Sequence, residues 1–286
     1  MRGRHLLRAQ AELLAAGNGR VLSHESAAVA WRLPQPAAGL GPVWMTDGDL
    51  SRTTRRGPGH VLEVASLRRQ DVVRLDGMPV KAEARTVADC LRHLPLADAV
   101  AVGDQALHRH LTTLGEVDEV LRFQSGWPFI TRARTARGLL DGRRESPLES
   151  ESFVAFWRCG IPMPHPQIYV FDAEGRFVAV VDALWISAGL VGECDGRTKY
   201  DLDLVGRRDP ETVRAALLRE KVREDRLRAT QLGVVRWGTW DVRHDLPALA
   251  RRISAALDTG DLRRFTGSLR TSRSPSDVLD LRPYLR

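Results

Sequence analysis

The residues best suited to chemistry lie close together in the second half of the chain. Asp182 is followed eleven residues later by Glu193, inside the run Gly192-Glu193-Cys194-Asp195-Gly196-Arg197-Thr198-Lys199-Tyr200. Lysine usage marks the same region. The sequence holds 43 Lys and Arg residues, yet only Lys81, Lys199 and Lys221 are lysines. Arginine is a permanently protonated fork, whereas lysine is a compact point charge whose pKa can be tuned. A chain that defaults to arginine and still writes lysine beside Asp182, Glu193 and Asp195 has a use for an amine there. The plain alternative is chance or a surface turn.

Strand alternation places Glu193 and Asp195 on one face of a strand. Asp182 ends the preceding strand, and if the two strands pair, its carboxylate reaches the same side as Glu193. Crowded carboxylates repel, and a divalent cation is the usual means of keeping them ionised. Carboxylate and carbonyl oxygens suit Mg²⁺ or Mn²⁺, with waters and a phosphate completing the shell. Such an ion activates water and neutralises charge developing on a scissile phosphodiester, while Lys199 would orient that water and contact the phosphate.

Each of these residues also has an ordinary structural reading. Asp182 sits within an apolar run, where an unpaired carboxylate costs several kcal/mol, so it is paired or binds metal. Asp195 heads an Asp-Gly turn. Glu149, a further candidate, is also the third residue of a capping box opened by Ser146-Pro147. Lys221, beside Glu220 and ahead of Arg223 and Glu224, fits a solvated helix face with i,i+4 pairs. His165, between two prolines, reads as a loop histidine, and His24 as part of a helix start.

The elements that must position the acids follow from periodicity and turn chemistry. In the second half, a helix from Ser146 is closed by Gly160-Ile161-Pro162. Strands follow at 167–171, 177–184 and 189–194, with links short enough for an antiparallel meander. A long helix over 211–231, a strand over 234–237 and a helix over 246–257 complete this part. The first half reads as helices over 4–17, 23–31, 86–93, 96–110 and 114–123. Its strands fall near 43–45, 61–65 and 71–75, and it carries no obvious catalytic cluster. The expected division is 1–142, 143–257 and a tail, 258–286, rich in Arg, Ser and Asp and read as largely disordered.

Composition sets the outer bounds. A chain of 286 residues, 43% hydrophobic and 28% charged, is long enough for two globular domains. No apolar run spans a bilayer, so no membrane partner is expected. The N-terminal apolar stretch is broken by Arg8, Gln10 and Glu12, which argues against a secretory signal and for the cytoplasm. The odd, widely spaced Cys90, Cys159 and Cys194 indicate neither a disulfide framework nor a zinc knuckle. The net charge of +7 permits a phosphate-binding surface without locating it.

Taken in order, Ser146-Pro147-Leu148-Glu149, Val181-Asp182, Glu193-Cys194-Asp195-Gly196 with Lys199-Tyr200, and the stretch from Arg219 to Arg228 leading to Val234-Val235-Arg236-Trp237 resemble the PD-(D/E)XK nuclease superfamily. The likeness is to its very-short-patch-repair-like domains and covers about 146–257. It implies an α+β fold with a restriction-endonuclease-like mixed sheet flanked by helices, beside a smaller N-terminal α+β domain. It also implies Mg²⁺-dependent (or Mn²⁺-dependent) cleavage of DNA in repair or phage defence, with Asp182 and Glu193 as metal ligands and Glu149 as accessory acid. The superfamily's lysine, two residues after the second acid, is here Asp195, so Lys199 or Lys221 would have to supply the amine.

Residues 20–140 resemble AbiEi-type antitoxin proteins through Leu22-Ser23-His24-Glu25-Ser26-Ala27-Ala28, Arg85-Thr86-Val87-Ala88-Asp89-Cys90 and Val102-Gly103-Asp104-Gln105-Ala106-Leu107. That resemblance implies a toxin or other protein partner. The winged helix that often opens such proteins is expected to be missing here. A non-catalytic regulator built on a degenerate nuclease fold is the competing expectation.

Overall fold

The computed structural model describes residues 2–17, 19–196 and 210–285, with the side chains of 210–213, 215–217, 219 and 220 also outside the description. The fold is α+β. It divides into a unit from Met1 to Glu151 and a unit from Ser152 to Arg286. The division falls nine residues later than the expected 142, and the first unit is the longer of the two, not the smaller. The cause is local. Asp104 accepts bonds from Arg144 at 2.6 Å and from the Ser150 hydroxyl at 2.7 Å, tying 143–151 to the first unit.

The first unit holds a mixed sheet of β1 (Arg20–Leu22), β2 (Val43–Asp47), β3 (Arg55–Arg56), β4 (His60–Val64), β5 (Val72–Leu75) and β6 (Met78–Lys81), in the order β3-β4-β2-β1-β6-β5. Asp76 and Gly77 both take positive φ, 49° and 78°, which is the two-residue turn that matches strand twist in a hairpin. Helices α1 (Arg2–Ala16) and α2 (His24–Ala30) belong with this sheet, and Ala9, Leu22, Ala27, Val43, Met45 and Val80 form its core. Helices α3 (Glu83–His93), α4 (Leu96–His108), α5 (Leu114–Phe123) and α6 (Ile130–Gly138) complete the unit.

Asp89 on α3 organises a buried ion network in this unit. One carboxylate oxygen accepts from Lys81 at 2.7 Å and Arg85 at 3.1 Å, the other from Gln124 at 2.7 Å and Arg92 at 3.2 Å. Burial alone would raise its carboxyl, but Lys81 and Arg85 foremost hold it well below the usual carboxylate range. The folded pKa is thus depressed. The stabilisation is present above about pH 4, the ordinary aspartate value, and is lost only as pH falls towards the folded pKa.

In the second unit, α7 (Pro147–Arg158), which begins in the first unit, leads into β7 (His165–Phe171), β8 (Phe177–Trp185) and β9 (Leu190–Asp195). These three strands form the expected antiparallel meander. Helix α8 (Pro210–Ala229) then returns the chain to β10 (Gly233–Gly238), parallel to β9. Short α9 (Thr239–His244) and α10 (Leu246–Thr259) follow. No helix among the described residues is long and apolar enough to cross a membrane.

The tail departs from expectation. Residues Ser268–Arg270 form β11, which pairs antiparallel with β7 and gives the order β10-β9-β8-β7-β11. Leu262 and Leu269 are buried in the core, with Phe265, Leu279, Leu281 and Tyr284 packed against it. Arginine, serine and aspartate dominate the composition, but these spaced apolar side chains are enough to pin the segment. Gly267 makes the approach possible: a side chain there would lie 2.1 Å from the Phe171 carbonyl.

Two outcomes test this description. Leu269→Ala is expected to cost about 2–5 kcal/mol in urea unfolding of the second unit, whereas a disordered tail would show no change. Asp89→Ala is expected to cost about 3–5 kcal/mol in the transition of the first unit, because it strands Lys81, Arg85 and Arg92 in the interior.

Candidate active site

The register of β8 against β9 settles where the acids point. Ala183 faces Gly192, Leu184 faces Val191 and Trp185 faces Leu190. Alternation then turns Asp182 and Glu193, the next residue on each strand, to the side away from Ala183 and Gly192, and Asp195 with them. Glu193 also faces Arg236 across the parallel β9–β10 pair. Asp182, Glu193, Asp195 and Arg236 thus share one face of the sheet.

The opposite face is aromatic and holds α7. Phe156 packs on Trp185 and Trp237 with ring centroids 5.5 and 5.1 Å apart. Trp237 Nε1 donates to the Ser152 hydroxyl at 2.7 Å, and that hydroxyl lies 3.8 Å from Cys194 Sγ. Gly192 is the residue over which the two tryptophans close. A Cβ there would be 2.5 Å from the Trp237 ring and 3.0 Å from the Trp185 ring.

The two acids are held differently. Asp182 is half-buried, and its Oδ2 accepts from the Cys194 backbone N–H at 2.8 Å. This bond spans the strands just beyond the last paired residues and anchors one carboxylate oxygen. Glu193 is only 3% exposed. Its Oε2 and Oε1 accept from the Nη2 and Nη1 of Arg223 on α8, at 2.9 and 3.3 Å. Leu227, one turn further along α8, is buried in the core of this unit, so α8 presents Arg223 and Leu227 on one side. Beside this pair, Arg236 lies 3.5 Å from Glu224.

The remaining expected site residues differ in their settings. Lys199 lies outside the described residues. Lys221 is exposed and stands roughly 200° around the helix from Arg223, as a solvated helix face requires. Asp195 is half-buried at the end of β9, paired with Gly238. Glu149 belongs to the first unit. Its Oε2 accepts from the Glu145 N–H at 3.1 Å and its own N–H donates to Ser146 Oγ at 3.2 Å, a capping-box arrangement shifted by one residue. Arg223 and Arg236 were not expected. Among so many arginines neither stands out, although Arg223 precedes the apolar Leu227 by four residues, which marks the helix face turned to the sheet.

The donor set suits a hard cation in kind: two carboxylates on adjoining strands, turned to one side, with main-chain carbonyls close by in sequence. Among the described residues, no group of three or more His, Cys, Asp or Glu side chains comes together as a cage. Asp182 and Glu193 would therefore need water, carbonyl or phosphate oxygens to complete a shell, as Mg²⁺ commonly does. The Asp89 cluster of the first unit is no alternative, since its carboxylate is fully buried and already accepts four bonds.

Comparison with known proteins gives relatives of unestablished function. The chain is 29% identical over 185 residues to the uncharacterized proteins MT2308 and Rv2248 of Mycobacterium tuberculosis (strains CDC 1551 / Oshkosh and ATCC 25618 / H37Rv). The match covers 65% of this chain and 64% of each relative, so the chain spans a little under two thirds of their length. No protein-family profile matches it, and no solved structure does.

Gly192→Ala probes the link between the two faces. The methyl group must displace Trp237 or shift β9, and the expected cost is about 1–3 kcal/mol in chemical denaturation. A neutral substitution would show that the tryptophans do not hold the strand that carries Glu193.

Proposed function

We propose that the second unit is a metal-dependent endonuclease that hydrolyses phosphodiester bonds in DNA. The observation that carries this reading is the turn of Asp182 and Glu193 to one face from adjoining strands. Mg²⁺ or Mn²⁺ held there would supply Lewis-acid stabilisation of charge on the phosphate and a more acidic bound water. The protein's share is orientation. The Cys194 N–H sets the Asp182 carboxylate, and the Trp185–Trp237 packing behind Gly192 fixes the strand from which Glu193 projects. Asp195 ends β9 on the same face, and Lys199 is the amine nearest to it in sequence. Exposed arginines on α8, Arg226 and Arg228, suit contact with a phosphate backbone.

A second reading has its own support. Arg223 already neutralises Glu193, as it would in a non-catalytic, antitoxin-like regulator that binds DNA or a protein partner through a degenerate nuclease fold. Cleavage and binding assays separate the two. The first reading predicts nicking of plasmid DNA with Mg²⁺ or Mn²⁺, reduced about a hundredfold or more by Asp182→Ala or Glu193→Ala. Undiminished cleavage by both variants refutes it. The second predicts gel retardation of DNA without cleavage by the wild-type protein.

A further inference from the structure

We propose that Arg223 is a built-in counter-cation that competes with the divalent ion for Glu193. This rests on the metal-dependent reading given above. Glu193 is buried and its carboxylate must find a positive partner, since an ionised group without one is strongly disfavoured inside a protein. Arg223 meets that need with a fork that engages both carboxylate oxygens, at 2.9 and 3.3 Å. Two parallel charge-assisted bonds of this kind are the strongest class available to a carboxylate.

A divalent ion approaching either oxygen must share it with a guanidinium N–H or displace that bond, and it is repelled by the guanidinium while that group stays. The two partners differ in freedom to move. The Glu193 side chain is 3% exposed, and that of Arg223 is 24% exposed. Arg223 therefore has a path towards solvent and Glu193 has none. The arginine occupies the buried carboxylate before the metal arrives, and it lowers the apparent metal affinity because the exchange is one cation for another.

The test is Mn²⁺ binding by calorimetry to the full chain, compared among wild type, Arg223→Gln and Arg223→Lys. Arg223→Gln is expected to bind Mn²⁺ about tenfold more tightly or better, because the charge-assisted bonds it no longer has to break are worth at least that factor. Arg223→Lys is expected to fall between the two. Adding Glu193→Gln to Arg223→Gln is expected to remove the gain. Should Arg223→Gln fail to fold without metal, the Lys variant carries the comparison, and an Mn²⁺-induced rise in its melting temperature larger than that of wild type supports the proposal. Equal or weaker binding by the variants, with wild type binding normally, overturns the proposal and leaves the nuclease reading standing. Absence of Mn²⁺ binding by wild type and variants alike overturns both.

Discussion

The pairing of β8 with β9 is the constraint on which the second unit depends. Side chains on a strand alternate with a period of two, so a one-residue slip would send Asp182 to the face opposite Glu193. Gly192 guards against that slip. It is the position over which Trp185 and Trp237 close, and any neighbour moved into its place would drive a side chain into their rings. Packing on the aromatic face therefore decides which side of the sheet receives the acids. Phe156, bearing on both tryptophans, brings α7 into the same arrangement.

Much of this was legible in the sequence because strand and helix periods are short-range signals. The meander from β7 to β9, the long helix α8, the strand β10 after Gly233 and the shared side of Asp182 and Glu193 all follow from local patterning and turn chemistry. What escaped has little pattern of its own. Strand β1 is three residues long. Helix α6 buries only Ala133 and Ala136, too small a stripe to stand out against its arginines. Strand β11 and the turns around it rely on isolated apolar residues in a polar stretch, and their value appears only when β7 offers an open edge.

The scarcity of lysine proved informative in an unexpected place. Of the three, Lys221 is solvated, Lys199 lies outside the described residues, and Lys81 is fully buried against Asp89 with Glu63 3.9 Å away. A compact ammonium fits there, between α3 and the sheet, where the larger guanidiniums of Arg85 and Arg92 instead spread over the Trp127 ring at 4.8 and 5.0 Å. Sequence alone could not assemble this network, because Asp71, which accepts from Arg85 at 2.7 Å, and Lys81, Asp89 and Gln124 come from separate elements. Each of them taken singly looks like an ordinary surface residue.

The two units thus neutralise buried carboxylates in physically different ways. Asp89 accepts four bonds from four side chains and is wholly enclosed. Removing any one donor leaves the others in place, so nothing from outside can compete for the oxygens. Glu193 has a single guanidinium for both oxygens, supplied by a side chain that reaches solvent. A carboxylate neutralised by one partly exposed group is open to approach from solvent in a way that a fully enclosed one is not. Enclosure by many donors makes a structural ion cluster. The Glu193–Arg223 pair instead joins one strand to one helix, on the face of the sheet that Asp182 shares.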